Sequence, residues 1–246
     1  MIVRALPSRF VALAVVLVSL AGCGESNDKT FRRLRPRFEA IRTRLQAIAA
    51  AVPPPGAVVD GQKPKAPLEP APAVDRRAGR ANTELLLVEQ LADPDAKPRL
   101  DLGVSGDLLY GLRLTGDKSP MPAAERAQKN TRLGHDLEVA LDTRWVVAVR
   151  VVDEEPPLAL DDRAFRGGRV KLEATLFDLA AAQPAPLAAV IVDARSSPQV
   201  DYAYKKGEDP KARLEAYAQT TMLQNARRAL AEKLADATGG SFAFAE

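Results

Sequence analysis

Seven prolines fall between residues 53 and 72, at positions 53, 54, 55, 64, 67, 70 and 72. Proline has no N–H to give to a helix or an interior strand, so a stretch this dense cannot build a core and reads as a polyproline-type linker. That restricts what can fold together to a short piece before residue 53 and one larger domain after about residue 80. At about 3.1 Å per residue, some 22 linker residues would reach on the order of 65 Å and let the domain stand away from whatever holds its N-terminus.

The short piece carries Phe31, Leu34, Phe38, Ile41, Leu45, Ile48 and Val52 at alternating spacings of three and four, one seam of a helix. Pro36 is best tolerated at a first helical position, so the helix is expected to start near Pro36, with Phe31 and Leu34 in the approach. An isolated helix this short is marginal in water, so the seam must meet a second copy, a lipid interface or the protein's own domain. Arginines along the helix oppose close pairing of copies, and the soluble form, residues 24–246, is expected to be monomeric. The outward side of the C-terminal helix, at Leu214, Tyr217, Thr221 and Met222, is a candidate surface for the docked arrangement.

At the N-terminus, Arg4 and Arg9 precede residues 10–20, which carry no charge. The run is about half the roughly 20 residues a membrane span requires, and it ends in small residues, as a secretory signal does. Leu20-Ala21-Gly22-Cys23 resembles the lipobox of bacterial lipoproteins. That resemblance implies a diacylglyceryl group on the Cys23 thiol, cleavage just before it, and a lipid-anchored protein of the cell envelope. Cys23 is the only cysteine in the chain, so no disulfide competes for it. Gly24 stands where an inner-membrane retention signal would want Asp, which by the same resemblance directs the protein to the outer membrane, facing the periplasm.

The net charge of +3 falls to +1 without Arg4 and Arg9. Residues 24–52 carry seven basic side chains against three acidic ones, or +4, which leaves −3 for the rest. The basicity is therefore juxtamembrane. Arg32, Arg33, Arg35 and Arg37 are candidate membrane contacts, each contributing about 1 kcal/mol against an anionic surface; a solvated helix face is the alternative. Export and the lack of basic residues interleaved with aromatics argue against a nucleic-acid partner.

In the larger domain, Glu84-Leu-Leu-Leu-Val-Glu89 reads as a strand. Residues 102–115 fit either a helix capped by Ser105 or an alternating strand, with helix preferred. Leu133, Leu137, Ala140 and Leu141 mark a helix leading into Trp145-Val-Val-Ala-Val-Arg-Val-Val152, apolar on both faces and so central to a sheet. Val170, Leu172, Ala174 and Leu176 alternate with Arg169, Lys171, Glu173 and Thr175, the pattern of a strand with one wet face. Residues 187–194 make a further strand. The chain closes on a helix from Pro210 to Thr238, capped by Asp209 and stopped by Gly239-Gly240, whose stripe Leu223, Ala226, Leu230, Leu234 and Ala237 should lie on the sheet. The expected fold class is α+β, a two-layer sandwich with a mainly antiparallel sheet and a long C-terminal helix, preceded by the amphipathic helix and the Pro-rich linker. The expected division is a signal peptide at 1–22, the lipidated basic helix at 23–52, the linker at 53–79 and the domain at 80–246.

The runs Arg144-Trp-Val-Val-Ala-Val-Arg-Val, Gly167-Gly168-Arg-Val-Lys-Leu-Glu-Ala-Thr-Leu-Phe-Asp178 and Val190-Ile-Val-Asp-Ala-Arg-Ser resemble the central sheet of small envelope lipoproteins such as penicillin-binding-protein activators and curli-secretion lipoproteins. The likeness covers about 60 residues and rests on pattern. It implies a protein that binds other envelope proteins and has no active site.

His135 is the only histidine, and it reads as an exposed surface residue. Without a second histidine or a free cysteine, zinc sites and Ser-His or Cys-His arrangements lack their parts. Gly103-Val-Ser-Gly106 misses the second glycine of a nucleophile elbow, Asp107 standing in its place. Asp153-Glu154-Glu155, Asp161-Asp162 and Asp93-x-Asp95 read as solvated loops; the alternative is a cell-wall glycan hydrolase working through a carboxylate pair, with Asp153 or Asp161 opposite another buried acid. The expected function is that of a noncatalytic, membrane-anchored envelope lipoprotein that binds a protein partner or peptidoglycan, without cofactor or metal.

Overall fold

A strand that is apolar on both faces has to lie inside a sheet, and the run beginning at Trp145 does. The computed structural model describes residues 25–74, 82–100, 102, 106–117, 120–161, 163–199 and 207–242. In chain order its elements are α1 (Asn27–Ala51), β1 (Thr83–Leu87), α2 (Val88–Ala92), α3 (Asp107–Thr115), α4 (Ala123–Arg126), α5 (Thr131–Ala140), β2 (Trp145–Glu155), β3 (Leu158–Ala159), β4 (Phe165–Arg166), β5 (Arg169–Asp178), β6 (Ala188–Arg195) and α6 (Pro210–Thr238). The main sheet has the order β1-β2-β5-β6. β1 runs parallel to β2, as in Leu85↔Val147, whereas β2–β5 and β5–β6 are antiparallel, as in Val147↔Leu176 and Ala174↔Val190. β3 and β4 form a two-residue ribbon on the connection between β2 and β5. The fold is α+β with an open, mainly antiparallel sheet and a long C-terminal helix. Residues 107–115 are helical; Ser105, expected as their cap, lies outside the described residues.

The sheet is covered twice. Trp145, Val147 and Val149 of β2 share one core with Leu172, Ala174 and Leu176 of β5, Val190 and Val192 of β6, and α6. Leu86, Val146, Ala148 and Phe177 share the other with α1, α3 and α5. There are thus three layers rather than two, because the N-terminal amphipathic helix packs onto the sheet instead of standing apart from it. Phe31, Leu34, Phe38, Ile41, Leu45 and Ile48 are all buried there.

Helix α1 starts at Asn27, nine residues earlier than its expected start, and Pro36 lies inside it on the exposed side. An interior proline costs about 3 kcal/mol, while burying Phe31 and Leu34 contributes roughly 1.5–3 kcal/mol each. The extra turns therefore win. Phe38 sits against Gly111 of α3, where an added Cβ would come within 2.4 Å of its ring, which accounts for a glycine in the middle of a helix.

The cap of α6 is as expected: the Asp209 carboxylate accepts from Lys211 N at 2.9 Å, Pro210 opens the helix, and Gly239 closes it at φ 70°. The face turned to the sheet carries the expected Ala226, Leu230, Leu234 and Ala237, and it continues toward the N-terminus differently. Leu214, Ala218 and Met222 are buried with Ala226, Leu230 and Leu234, and Leu223 is left at the margin. Leu214 and Met222 are therefore not a dock for α1, which lies across the sheet from α6.

The proline-rich segment differs most from its expected form. Residues 53–74 lie along the domain as a strap, and Glu173 and Thr175, assigned to a wet face, are buried beneath the second layer. The Glu173 carboxylate accepts from Gly56 N at 2.8 Å and stands 3.6 Å from the Arg150 guanidinium, which donates to Pro53 O. The strap then turns around the β6 edge: Ala189 N donates to Gln62 O at 3.1 Å, and Ile191 N donates to the Asp60 carboxylate. On the α6 side Leu68 and Val74 pack on the core, and Pro70 O accepts from Trp145 Nε1 at 2.9 Å. Proline's missing donor is no handicap here, because the strap contributes mainly carbonyl acceptors to groups the sheet leaves unpaired.

Two outcomes follow from this packing. Leu45→Asp puts a charge at a fully buried site and should remove more than about 4 kcal/mol of stability, read as collapse of the urea midpoint of residues 24–246; an unchanged midpoint would mean that α1 is not docked. Partial burial pushes the Asp60 carboxyl up, but the Lys233 ammonium at 2.8 Å with Ile191 N and Gly61 N outweighs it and holds the group below its ordinary value. A depressed folded-state pKa stabilises above the unfolded value, about 3.9, and that contribution is lost as pH falls through the folded value. The stability deficit of Asp60→Asn should accordingly be full at neutral pH and shrink as pH drops below about 4.

Candidate functional site

Cys23 and the segment expected as a signal peptide, residues 1–22, lie outside the described residues, which begin at Glu25. The start of α1 is firmly held. Asn27 is buried; its N–H donates to Gln128 O at 2.9 Å and its amide to Glu125 O at 2.8 Å, while Ser26 bridges Lys129. A buried polar side chain needs such partners, and they fix the segment between Pro120 and Asn130 beside the helix start.

Arg32, Arg33, Arg35 and Arg37 are exposed, yet three of these four candidate membrane contacts are paired. Arg32 meets Asp28 at 2.8 Å. Arg33 bridges Glu138 at 2.8 Å and Glu25 at 3.2 Å, and the Glu138 and Glu25 carboxylates raise its pKa. Arg35 lies between Glu39 and Asp117, which do the same to it. Arg37 is exposed. Further along, Arg42 donates to Leu112 O and Arg44 to Leu179 O, closing carbonyls at the ends of α3 and β5. Glu138 and Asp117 are distant in sequence, so counting charges along the chain overstates how much positive charge this face has to offer.

The acidic clusters do not converge on one another. Asp153 and Glu155 both face Arg169, at 3.6 and 3.9 Å, and Arg169 grips Asp193 with two hydrogen bonds of 2.9 and 2.6 Å. That guanidinium depresses the Asp193 pKa. Glu154 is 3.8 Å from Arg99. Asp161 accepts from Arg163 N and Ala164 N, which lower its pKa, and so closes the turn between β3 and β4; Asp162 lies outside the described residues. Asp93 accepts from Asp95 N in a second turn. Neither Asp153 nor Asp161 has a buried acid opposite it, and among the described residues no three His, Cys, Asp or Glu side chains gather at metal-binding distance.

His135 is exposed on α5. Trp145 is buried at the start of β2 with Arg144 over its ring at 5.3 Å. Gly168 permits a close approach of chain, since a Cβ there would meet Pro157 N at 2.8 Å and Glu155 O at 3.0 Å. Gly103, Val104 and Ser105 lie outside the described residues. Gly106 lies against the Glu84 carboxylate beside a shallow depression of about 270 Å³, also lined by Asp107, Leu109, Tyr110 and Arg113. The pair of half-buried Arg150 and buried Glu173 has only one cue in the sequence, opposed charges on neighbouring strands, which emerges once the register is known.

Among the described residues no helix is long and apolar enough to cross a membrane. No family profile and no curated protein matches the chain. Among solved structures, a hypothetical protein from Chlamydia trachomatis is similar over 65% of this chain and 96% of its own, at 13% identity and a TM-score of 0.28.

Proposed function

We propose that the protein is a bacterial envelope lipoprotein, held on a membrane by lipid on Cys23, whose domain is a noncatalytic binding or assembly module for another envelope protein or peptidoglycan. The observation that carries the anchor is Leu20-Ala21-Gly22-Cys23 at the end of an uncharged export-type run. Lipid on Cys23 is compatible with both cores, whose described residues begin at Phe31. Two or more acyl chains, at about 0.8 kcal/mol per buried methylene, give firm attachment. Gly24 in place of Asp favours the outer membrane, with the domain in the periplasm.

A noncatalytic role is supported by how the described acids of the candidate clusters are used: Asp153, Glu154 and Glu155 lie in ion pairs, and Asp93 and Asp161 close turns. The glycan-hydrolase alternative requires two acids converging on a substrate, and Asp153 and Glu155 instead converge on Arg169.

Cys23→Ala should abolish incorporation of a clickable fatty acid and leave an unprocessed or soluble form. Labelling of the variant equal to that of the parent protein would overturn the lipoprotein reading.

A further inference from the structure

We propose that the end of the molecule formed by the start of α1 and the segment from Pro120 to Arg132 rests directly on the membrane surface that holds Cys23, in contact with anionic phospholipid headgroups. This inference rests on the lipoprotein reading and replaces the long spacer that the prolines suggested with almost no spacer at all.

The first argument is length. Cys23 and Asn27 are four residues apart, and a fully extended chain covers at most about 3.6 Å per residue, or about 14 Å in all. Acyl chains on Cys23 enter the hydrocarbon, so this tether must also cross a headgroup layer of roughly 5–7 Å on each side of a bilayer. What remains is shorter than a helix diameter of about 10 Å. The proline-rich segment cannot add reach, because it lies on the far side of α1 from the anchor and is itself bound along the sheet.

The second argument is that the end is built to hold its shape. Asn27 is fixed to Gln128 O and Glu125 O, Ser26 bridges Lys129, and Arg33 ties Glu25 to Glu138. The Pro120 segment is therefore carried to the bilayer together with the helix.

The third argument is composition. Pro120-Met-Pro-Ala-Ala124 carries no charge, and Pro122, Ala123 and Ala124 are exposed. From there to residue 132 the chain has Arg126, Lys129 and Arg132 against Glu125, with Arg132 3.9 Å from Asp136 on the next turn of α5. Lys29 and Lys129 are exposed close to the chain entry, with no carboxylate ion-pair partner within 4 Å among the described residues. Small apolar side chains flanked by lysines fit a headgroup layer with negative charge. The contact is thus the end of α1 and its neighbour rather than the arginine-bearing side, where Arg35 is committed to Glu39 and Asp117. The ribbon of β3 and β4, on the connection at the opposite end of β2, points the exposed Leu158 and Leu160 away from the membrane.

The test uses the full-length protein purified from membranes and reconstituted in vesicles of phosphatidylethanolamine and phosphatidylglycerol with a nitroxide on some headgroups. Acylation of Cys23 is read by mass on the N-terminal peptide of the same preparation. A fluorophore on Ala124→Cys should be quenched several-fold more than one on Leu160→Cys, and Lys29→Glu with Lys129→Glu should reduce the Ala124 signal. Equal quenching at the two positions on acylated protein overturns the docked end and leaves the lipoprotein reading standing; absence of lipid on Cys23 overturns both. Quenching at position 124 that is insensitive to the lysine changes overturns the headgroup contact.

Discussion

A central strand with apolar side chains on both faces has to be shielded from water on both, and the architecture answers that demand at β2. Val146 and Ala148 turn one way, Val147 and Val149 the other, and all four are buried. One helix, α6, is long enough to cover one face of the meander. The other face needs α1, α3 and α5 together, and it recruits a helix from before the proline-rich segment. Each buried Leu or Phe contributes roughly 1.5–3 kcal/mol, enough to carry α1 through an interior proline and a glycine in its partner helix.

The strap resolves a second conflict. β5 carries Glu173 in the middle of a covered sheet, where an uncompensated carboxylate would cost several kcal/mol. Arg150 on the neighbouring strand and Gly56 N supply the compensation, and Pro53 O accepts a hydrogen bond from the guanidinium. A segment that cannot form regular structure thus serves as a source of backbone partners. It also covers the outer edge of β6, where unpaired N–H groups would otherwise invite another strand.

Local pattern revealed most elements and concealed their arrangement. The strands at 145–155, 169–178 and 188–195, the antiparallel meander and the capped C-terminal helix all follow from period, caps and turn residues. The layer count did not, because the seam of α1 states only that an apolar partner exists. The alternation of Arg169, Lys171, Glu173 and Thr175 was misleading for a related reason: a polar residue reads as wet unless its buried partner, here on a strand more than 20 residues away, is known. Proline density speaks against a core, but a chain lacking N–H donors can still lie on a sheet edge and offer acceptors. On α1, Arg33 and Arg35 find partners in Glu138 and Asp117, which no count along the sequence would bring together.

The sequence separation of the strap and α1 from what they bind sets an order of events. Arg44 reaches Leu179, and Gly56 reaches Glu173, across 135 and 117 residues respectively. A chain made from its N-terminus produces α1 first, yet the helices that cover its seam, α2, α3 and α5, follow only after the strap, and Glu173 and Leu179 come later still. Contacts across such loops form slowly, because the entropy of closing the loop is lost before any contact is gained. The first element to emerge is consequently among the last to be locked in, and until then its apolar seam depends on being kept from other surfaces.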